Sequence, residues 1–456
     1  MDTDDRRRVR FAVLGGGPAG TACATTAAAL GAQVTLVEKS IVGGAAHLWD
    51  CIPSKTMTAT AVRIDSIRNA SKLGLVAEPG RVDPKTLAER IKTISADITA
   101  NWVDLLESQG VEILRGAGRF TSPNELTVDT EGGERTVPFD VALVSTGSSP
   151  RIPDWAEVDG ERILTTRDAY DLPEIPEHVV VVGSGVTGVE FVHIFESLGS
   201  QVTLVVSRQQ VLPSRDPEVA AVLEEDFLER GVRLVIGARA VKATRTDDGV
   251  EVVCDDGRVV RGSHLLLAIG SVPLTAGIGL EIAGVETDRM GFVVVDEFQR
   301  TAVPHIYAAG DCTGQMLLSS VAAAQGRKIA RHALGLPVKP IDYSKVTHAV
   351  FTQPEIATVG LEEVDAAAQG RKVRTTKVPF AANPRSVLQG YTRGFVKLVS
   401  DPATGIVLGG TIVGHRASEL IGILALAVQA RVTVSELVET LMVHPSLAES
   451  ITDAAE

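Results

Sequence analysis

The sequence predicts an α/β protein with two Rossmann-like domains and a C-terminal α+β domain. Three observations lead to this fold class. A strand, a glycine turn, a helix and a second strand follow one another between Val9 and Glu38, and the same order returns between His178 and Val206. The region from about residue 341 mixes apolar strands with an apolar helix. Repetition of a strand–turn–helix–strand segment is typical of doubly wound parallel sheets.

The composition argues against several classes of protein. The chain has 456 residues, 45% of them hydrophobic, which is enough for about three domains with buried cores. The net charge of −13 argues against nucleic acid or an anionic membrane as a partner. No apolar run reaches the ~20 residues that span a bilayer, and the charged start Met1–Arg10 does not resemble a signal peptide. We therefore expect a cytoplasmic protein without a membrane span.

The first repeat contains a turn suited to a dinucleotide. Strand Val9–Leu14 leads directly into Gly15-x-Gly17-x-x-Gly20 and the helix Pro18–Leu30. Glycines at this spacing allow a tight turn and a close backbone approach, so that a pyrophosphate can bind at the helix N-terminus. The next strand, Gln33–Glu38, ends in a carboxylate that can accept hydrogen bonds from ribose hydroxyls.

The second repeat differs from the first at the end of its second strand. It consists of strand His178–Val182, the turn Gly183-x-Gly185-x-x-Gly188, helix Val186–Leu198 and strand Gln201–Val206. After Val206 come Ser207 and Arg208, so the acid that would favour the NAD ribose and repel a 2′-phosphate is missing. We interpret this repeat as a site for NADPH or for both nicotinamides.

Other segments define the domain organisation. Apolar residues at helical spacing predict a long helix that ends before Gly110: Leu87, Ile91, Ile94, Ile98, Trp102 and Leu105. Breaks at Gly147–Pro153 and Gly270–Pro273 predict domain crossings. We predict that residues 1–151 and 271–340 together form one nucleotide-binding domain. Residues 152–270 would form a second nucleotide-binding domain, and residues 341–456 the C-terminal domain. In the last, we expect strands Gly394–Ser400 and Gly405–Val413 and helix Glu419–Gln429.

The cysteines are few and widely separated. Cys23, Cys51, Cys254 and Cys312 have neither metal-ligand spacing nor that of a disulfide framework, so no bound metal is expected. Cys51 ends the stretch Gly43-Gly44-Ala45-Ala46-His47-Leu48-Trp49-Asp50-Cys51 and is followed by Ile52-Pro53-Ser54-Lys55. This has the outline G-G-x-C-x4-C-I-P-S-K, with alanine at the first cysteine position.

Together with other motifs, this stretch resembles the pyridine nucleotide-disulphide oxidoreductases of the dihydrolipoamide dehydrogenase and glutathione reductase type. The other motifs are Ser145-Thr146-Gly147-Ser148-x-Pro150, Thr301-x-x-Pro304-x-Ile306-Tyr307-Ala308-x-Gly310-Asp311, Phe351-Thr352-x-Pro354-Glu355-Ile356-Ala357-x-Val359-Gly360 and His444-Pro445-Ser446-Leu447-Ala448-Glu449. The resemblance implies FAD at the first glycine turn, NAD(P)H as co-substrate at the second, and a homodimer formed through a C-terminal dimerisation domain.

The resemblance also implies roles for single residues. Cys51 matches the cysteine that faces the flavin, Lys55 the lysine near flavin N5, and Glu190 the glutamate that pairs with that lysine. His444 and Glu449 match a dyad that reaches in from the partner subunit. The implied cofactor contacts are Gly15, Gly17, Pro18, Ala19, Gly20, Glu38, Lys39, Gly43, Gly44, Ala45, Cys51, Lys55, Gly118, Thr146, Gly147, Ser148, Gly183, Gly185, Val186, Thr187, Gly188, Val206, Ser207, Arg208, Gly270, Gly310, Asp311, Leu317, Leu318 and Ser319.

Ala46 departs from the family pattern. An alanine cannot form a disulfide, so the ping-pong exchange with a dithiol substrate would lose its nucleophile. The chain is similar to the actinobacterial NAD(P)H:quinone reductase branch, which lacks the cysteine pair, although this chain keeps His444 and Glu449. We expect an FAD-dependent NAD(P)H oxidoreductase in which electrons pass from the reduced flavin to a small acceptor, most simply a quinone, with His444 as proton donor.

Three alternatives remain open at this point. Cys51 alone could cycle through a sulfenate or mixed disulfide and reduce a peroxide, persulfide or small disulfide. The neutral Val206 would also suit a soluble transhydrogenase that moves hydride between the two nicotinamide pools. A flavin-binding subunit or sensor without turnover is the third.

Overall fold

The computed structural model describes residues 8–78 and 80–456. Most of the charged segment on which the expectation about a signal peptide rests lies outside the described residues. The chain divides into two compact units. The first unit comprises Met1–Ser54, Ala88–Arg151 and Ser271–Ile341, and the second comprises Lys55–Leu87, Ile152–Gly270 and Asp342–Glu456. The division into four segments made from the sequence stays a prediction.

The strands follow one another in chain order. They are β1 Arg10–Leu14, β2 Gln33–Glu38, β3 Glu112–Arg115, β4 Ala117–Ser122, β5 Glu125–Thr130, β6 Gly133–Pro138, β7 Val141–Val144, β8 Ser148–Pro150, β9 Ile163–Thr165, β10 His178–Val182, β11 Gln201–Val206, β12 Arg233–Ile236, β13 Ala240–Arg245, β14 Val250–Cys254, β15 Val259–Gly262, β16 His264–Leu267, β17 Ser271–Pro273, β18 Ile306–Ala308, β19 His348–Val350, β20 Glu355–Gly360, β21 Arg374–Pro379, β22 Phe395–Ser400 and β23 Val407–Gly414.

The helices lie between these strands. They are α1 Pro18–Ala29, α2 Ile52–Arg68, α3 Pro84–Ser108, α4 Val186–Leu198, α5 Pro217–Glu229, α6 Leu280–Ala283, α7 Ser319–Ala333, α8 Glu363–Ala368, α9 Pro384–Gln389, α10 Ala417–Ala430, α11 Val434–Val438 and α12 Glu449–Asp453. A π-helical turn covers Ala46–Asp50, and short 3-10 turns cover Ala70–Leu73, Asp168–Tyr170, Gly310–Thr313, Tyr343–Lys345 and Phe380–Ala382. None of the described helices is long and apolar enough to cross a membrane.

A parallel sheet in the order β18-β7-β1-β2-β3 forms the centre of the first unit. Its central strand β1 is buried almost throughout and pairs with β2 and β7, as a strand covered on both faces does. α1 and α7 pack closely on one face, because a Cβ on Gly326 would lie 2.1 Å from the Ala19 carbonyl oxygen. The antiparallel sheet β4-β5-β6 and the ribbon β8-β17 complete the unit.

The second unit repeats this arrangement and adds a third kind of sheet. Its parallel sheet has the order β12-β11-β10-β16-β9 and is accompanied by the antiparallel sheet β13-β14-β15. The C-terminal residues form an antiparallel sheet in the order β19-β20-β23-β22-β21, with α10 packed against it over a core that includes Ile412, Ile421 and Leu424. The fold is therefore α/β with two glycine-turn sheets and an α+β region, as the sequence predicts.

The long helix α3 shows one error in the predicted apolar stripe. Leu87 and Ile91 are buried as expected, but Leu105 is 42% exposed and Leu106 is fully buried instead. Helical spacing from Ile91 passes between these two neighbouring leucines, so the pattern alone does not choose between them. The buried Leu106 packs in the core of the first unit together with Val111 and Leu143.

A buried lysine occupies the one group of carboxylates that could otherwise suggest a metal site among the described residues. Asp216, Glu218 and Glu363 lie close together, and Lys397 forms ion pairs with all three, at 2.8 Å to Asp216 and 2.9 Å to Glu363. Burial by itself would lower the pKa of Lys397, which is 4% exposed, but hydrogen bonds to these carboxylates outweigh it and raise that pKa. The ammonium group thus supplies the cation that this cluster needs.

Candidate active site

The glycines of the first turn differ in what the fold requires of them. Gly15 has a φ of +105°, and a Cβ there would lie 2.3 Å from the Ser145 carbonyl oxygen. A Cβ on Gly20 would lie 1.9 Å from the Gly15 carbonyl oxygen. Gly17 has a φ of −70°, and a Cβ there would meet no atom of the described residues within 4 Å. The fold explains Gly15 and Gly20, whereas the open space at Gly17 could admit a ligand that approaches the backbone, such as a pyrophosphate.

Glu38 is tied to the same turn. One carboxylate oxygen accepts a hydrogen bond from the Gly16 N–H at 2.7 Å, and the other accepts one from the Ser40 N–H at 2.7 Å. Each oxygen has a further lone pair for a ribose hydroxyl. Glu38 therefore fixes the loop geometry and is still chemically suited to the ribose contact that the sequence predicts.

One of the predicted flavin-binding segments contains a buried hydroxyl without a hydrogen-bond partner among the described residues, namely Thr146 Oγ1. Such a group is rare in a native structure unless a water or ligand satisfies it. Beside it in the chain, Ser148 Oγ donates to the Asp311 carboxylate at 2.8 Å, which joins two of the predicted flavin-binding segments. Within the first unit, these residues and the glycine turn fit FAD.

The second glycine turn has the same construction in the second unit. A Cβ on Gly183 would lie 2.3 Å from the Ala268 carbonyl oxygen, and one on Gly188 would lie 1.8 Å from the Gly183 carbonyl oxygen. A Cβ on Gly185 would meet nothing within 4 Å in the part of the chain that the structure describes. The residue at the end of β11, where the first unit has Glu38 at the end of β2, is Val206. Its side chain is fully buried and carries no carboxylate. The turn therefore fits a second dinucleotide without the acid that discriminates against a 2′-phosphate.

The segment that begins at Ala46 forms a π-helical turn, which is wider than a turn of an α-helix. In the π-helical turn Ala46–Asp50, the Cys51 N–H donates to the Ala46 carbonyl oxygen at 3.3 Å, five residues back. Such turns occur frequently at functional sites. Cys51 is partly exposed, and its Sγ lies 3.1 Å from Ser319 Oγ at the start of α7. The thiol is thus held in place, and position 46 offers it no second sulfur.

Lys55 and Glu190 form the ion pair that the resemblance implies, with Nζ 2.7 Å from Oε2. The other carboxylate oxygen of Glu190 accepts a hydrogen bond from the Phe351 N–H at 2.9 Å. The Lys55 ammonium also lies 4.7 Å from the centre of the Phe351 ring, within range of a cation–π interaction. Glu190 is buried, so the hydrogen bonds from the Lys55 ammonium and the Phe351 N–H offset the free energy that burying its negative charge requires.

The C-terminal pair is present and exposed. His444 Nδ1 lies 2.7 Å from Glu449 Oε1, and the His444 side chain is 70% exposed. The Ser446 N–H donates to Glu449 Oε2 at 2.8 Å. This backbone hydrogen bond and the one from His444 lower the pKa of Glu449, which is therefore ionised at neutral pH. A carboxylate only accepts, so the proton sits on Nδ1 and leaves Nε2 to exchange a proton with another molecule.

The remaining predicted contacts are distributed as follows. Pro18 and Ala19 open α1, Val186 and Thr187 open α4, and Gly310 and Asp311 form a short turn after β18. Ser207, Arg208, Lys39 and Leu317 are exposed. On Gly118, a Cβ would lie 2.6 Å from the Leu14 side chain, so packing suffices to explain this glycine. A Cβ on Gly43 would strike the His47 ring. Gly44 and Ala45 are helical and lead into the π-helical turn, whereas Gly147, Gly270 and Leu318 lie in connecting loops.

The other cysteines are structural. Cys23, Cys254 and Cys312 are buried, and burial raises the pKa of each thiol, that of Cys312 to about 11. Two contributions were missed from the sequence, namely those of the Phe351 and Ser446 backbone N–H groups. Both residues lie within motifs that were identified, but a motif does not indicate which backbone donor a distant carboxylate will accept.

Comparison with known proteins agrees with this geometry. The family model described as pyridine nucleotide-disulphide oxidoreductase matches residues 9–326, and the model of its dimerisation domain matches residues 346–455. A Mycobacterium tuberculosis protein named NAD(P)H dehydrogenase (quinone) is 45% identical over 98% of this chain and 93% of its own length. A dihydrolipoyl dehydrogenase from Chlorobaculum tepidum is 35% identical over 97% of this chain and 96% of its own.

A solved structure supports the same assignment. The crystal structure of LpdA from Mycobacterium tuberculosis has a TM-score of 0.94 and 46% identity, covering 98% of this chain and 99% of that chain. The family models together cover most of the sequence, and the relatives match it from end to end. The chain belongs to the pyridine nucleotide-disulphide oxidoreductase family.

Proposed function

We propose that this protein is an FAD-dependent NAD(P)H oxidoreductase whose electron acceptor is a small molecule, namely a quinone, with no redox disulfide between flavin and acceptor. The observation that carries the proposal is Ala46, which stands at the first cysteine position while the flavin and nicotinamide features are kept. The name of the Mycobacterium tuberculosis relative supports a quinone as acceptor.

The chain's residues would hold the two nucleotides separately. We assign the glycine turn at Gly17, the hydroxyl of Thr146 and the carboxylate of Asp311 to FAD, and the turn at Gly185 to NAD(P)H. When bound, FAD supplies the chemistry of accepting hydride from a nicotinamide and delivering electrons to a quinone. Lys55 stabilises negative charge that develops during this transfer, and Glu190 keeps its ammonium in place.

The His444–Glu449 pair is proposed as the proton source. Reduction of a quinone to a hydroquinone consumes protons, and His444 Nε2 is the nitrogen available to deliver one. The ionised Glu449 accepts a hydrogen bond from His444 Nδ1 and so orients the ring. We propose that the pair acts in a homodimer, which the match to a dimerisation domain supports. Exposed apolar side chains in the C-terminal region, Leu426, Leu441 and Val443, also suit an interface.

Replacing Cys51 with serine tests whether sulfur lies on the electron path. We expect Cys51→Ser to keep at least about half of the wild-type kcat/KM for menadione with NADPH, because serine preserves the contact with Ser319 and the proposed path uses no thiol. Steady-state assays should compare NADH and NADPH with menadione, benzoquinones, lipoamide, glutathione disulfide and peroxide.

The control is alkylation of the wild type. Of the four cysteines, all within the described residues, only Cys51 is partly exposed. One equivalent of alkylating label incorporated per chain would therefore report on the Cys51 thiol. A loss of about 100-fold or more in Cys51→Ser, together with turnover of peroxide or a small disulfide by the wild type, would favour the one-cysteine alternative. Hydride exchange between NADPH and a thio-analogue of NAD would favour the transhydrogenase.

Restoring an acid at position 206 tests the nicotinamide preference. We expect Val206→Glu to raise the KM for NADPH by about tenfold or more and to change that for NADH much less, since a carboxylate there repels a 2′-phosphate. In the second repeat, Ser184 and Arg208 correspond in sequence position to Gly16 and Ser40, whose N–H groups hold Glu38. Arg208→Ala is the matched control and should weaken NADPH alone. Equal changes for both nicotinamides in both variants would contradict the assignment.

A further inference from the structure

Three glutamines surround the turn that carries Asp311. The Gly310 N–H donates to Gln325 Oε1 at 2.7 Å. Gln325 Nε2 donates to Gln315 Oε1 at 3.2 Å, and Gln299 Nε2 donates to the same oxygen at 2.9 Å. Gln325 is 1% exposed and Gln299 3% exposed, so their amides lie in the interior of the first unit, whereas Gln315 is at the surface.

This network fixes which end of the Gln325 amide faces Gly310. A glutamine side chain can present either its oxygen or its NH2 group to a neighbour, and only the oxygen can accept from a backbone N–H. Gln315 Oε1 can only accept, so it selects the NH2 end of Gln325 and directs Oε1 to Gly310. Gln299 donates to that same oxygen and so holds Gln315 in the required orientation.

The network also touches both sides of the turn. The Gln299 carbonyl oxygen accepts from the Ala308 N–H at 3.0 Å, just before the turn begins. Gln325 lies on α7 next to Gly326, where α7 contacts Ala19 on α1. α1 in turn begins at the first glycine turn. The Gln325 side chain contacts the Gly310–Asp311 turn, and the α7 backbone beside it packs on α1. Gln325 therefore links this turn to the helix whose N-terminus forms the proposed pyrophosphate site.

We propose that Gln325 is a positioning residue for FAD: its side-chain oxygen holds the Gly310 peptide so that the Asp311 carboxylate faces the polar chain of the cofactor. The inference rests on the proposed binding of FAD to the first unit. It assigns to Gln325, Gln315 and Gln299 a role in cofactor retention that the linear motifs do not indicate. The carboxylate itself is also held by Ser148, so Gln325 acts on the backbone and Ser148 on the side chain.

The test is the affinity for FAD, measured by fluorescence titration of flavin-depleted protein. We expect Gln325→Leu to weaken FAD binding by about tenfold to a hundredfold, because a buried N–H loses its acceptor. Gln325→Glu keeps an acceptor of the same length and should bind FAD more tightly than Gln325→Leu. The melting temperature of each variant without FAD separates a positioning role from general destabilisation.

A second variant covers the case in which Gln325→Leu does not fold. Gln315 is exposed, so Gln315→Ala should fold, release the orientation of the Gln325 amide and weaken FAD binding by a smaller factor. FAD affinity equal to wild type in the folded variants, or a fall in melting temperature without any change in affinity, would overturn the inference. Absence of FAD binding by the wild type would instead overturn the proposed function, and a failure to reduce quinones would leave this inference intact.

Discussion

Gly17→Ala is expected to fold as stably as the wild type and to bind FAD about 100-fold more weakly. The backbone at position 17 is in an ordinary conformation for any residue, and an added Cβ meets no described atom of the chain within 4 Å. No atom of the described residues therefore opposes the methyl group, whereas a pyrophosphate that approaches the backbone there would collide with it. The measurements are FAD titration and the melting temperature with and without added FAD.

Gly20→Ala is the matched control within the same turn. Its Cβ would lie 1.9 Å from the Gly15 carbonyl oxygen, so we expect this variant to lose stability as well as FAD. The contrast between the two positions separates a glycine required by the ligand from one required by the fold. If Gly17→Ala retained FAD with wild-type affinity, the cofactor would not approach the turn as proposed.

The second unit provides the corresponding control on cofactor identity. A Cβ on Gly185 also meets nothing within 4 Å, while one on Gly188 would lie 1.8 Å from the Gly183 carbonyl oxygen. We expect Gly185→Ala to be purified with FAD but not to be bleached by NAD(P)H under anaerobic conditions. Loss of FAD from this variant would contradict the assignment of one nucleotide to each turn.

Most of the fold could be predicted because its central elements carry strong local signals. β1 and β10 are short apolar runs that end in glycine turns, and the helices α1 and α4 begin where those turns end. The antiparallel sheets β4-β5-β6 and β13-β14-β15 were not predicted. In β6, only Val137 is buried, so the alternation that indicates a strand is nearly absent there.

The site could be predicted only as far as linear motifs reach. Lys55 and Glu190 are far apart in sequence, and their pairing was inferred from a resemblance to a family. The structure adds the Phe351 backbone N–H, which donates a hydrogen bond to the second carboxylate oxygen of Glu190. The contact of Gln325 with Gly310 had no sequence signal at all, because a buried glutamine in a helix resembles any other polar residue until its tertiary partner is known.

Ala46→Cys is expected to restore a disulfide with Cys51. A π-helical turn links these positions, and the hydrogen bond from the Cys51 N–H to the Ala46 carbonyl oxygen places them one turn apart. A disulfide requires two β-carbons held within a few ångströms of each other, roughly 3.5–4.5 Å. The wild type has four cysteines, so the variant should show five thiols when reduced and three after oxidation with diamide, as counted under denaturing conditions.

The new disulfide should also bring new chemistry. Cysteine at position 46 supplies the nucleophile that a dithiol exchange needs, and the His444–Glu449 pair that serves such a thiol in the family is already present. We therefore expect Ala46→Cys to reduce lipoamide or glutathione disulfide at least about tenfold faster than the wild type, as a positioned nucleophile with its base allows. Ala46→Ser and the double variant Ala46→Cys/Cys51→Ser should gain nothing. If Ala46→Cys kept five thiols after oxidation, the turn would not have the geometry that a disulfide requires. The proposal that Ala46 alone removes the disulfide route would then be wrong.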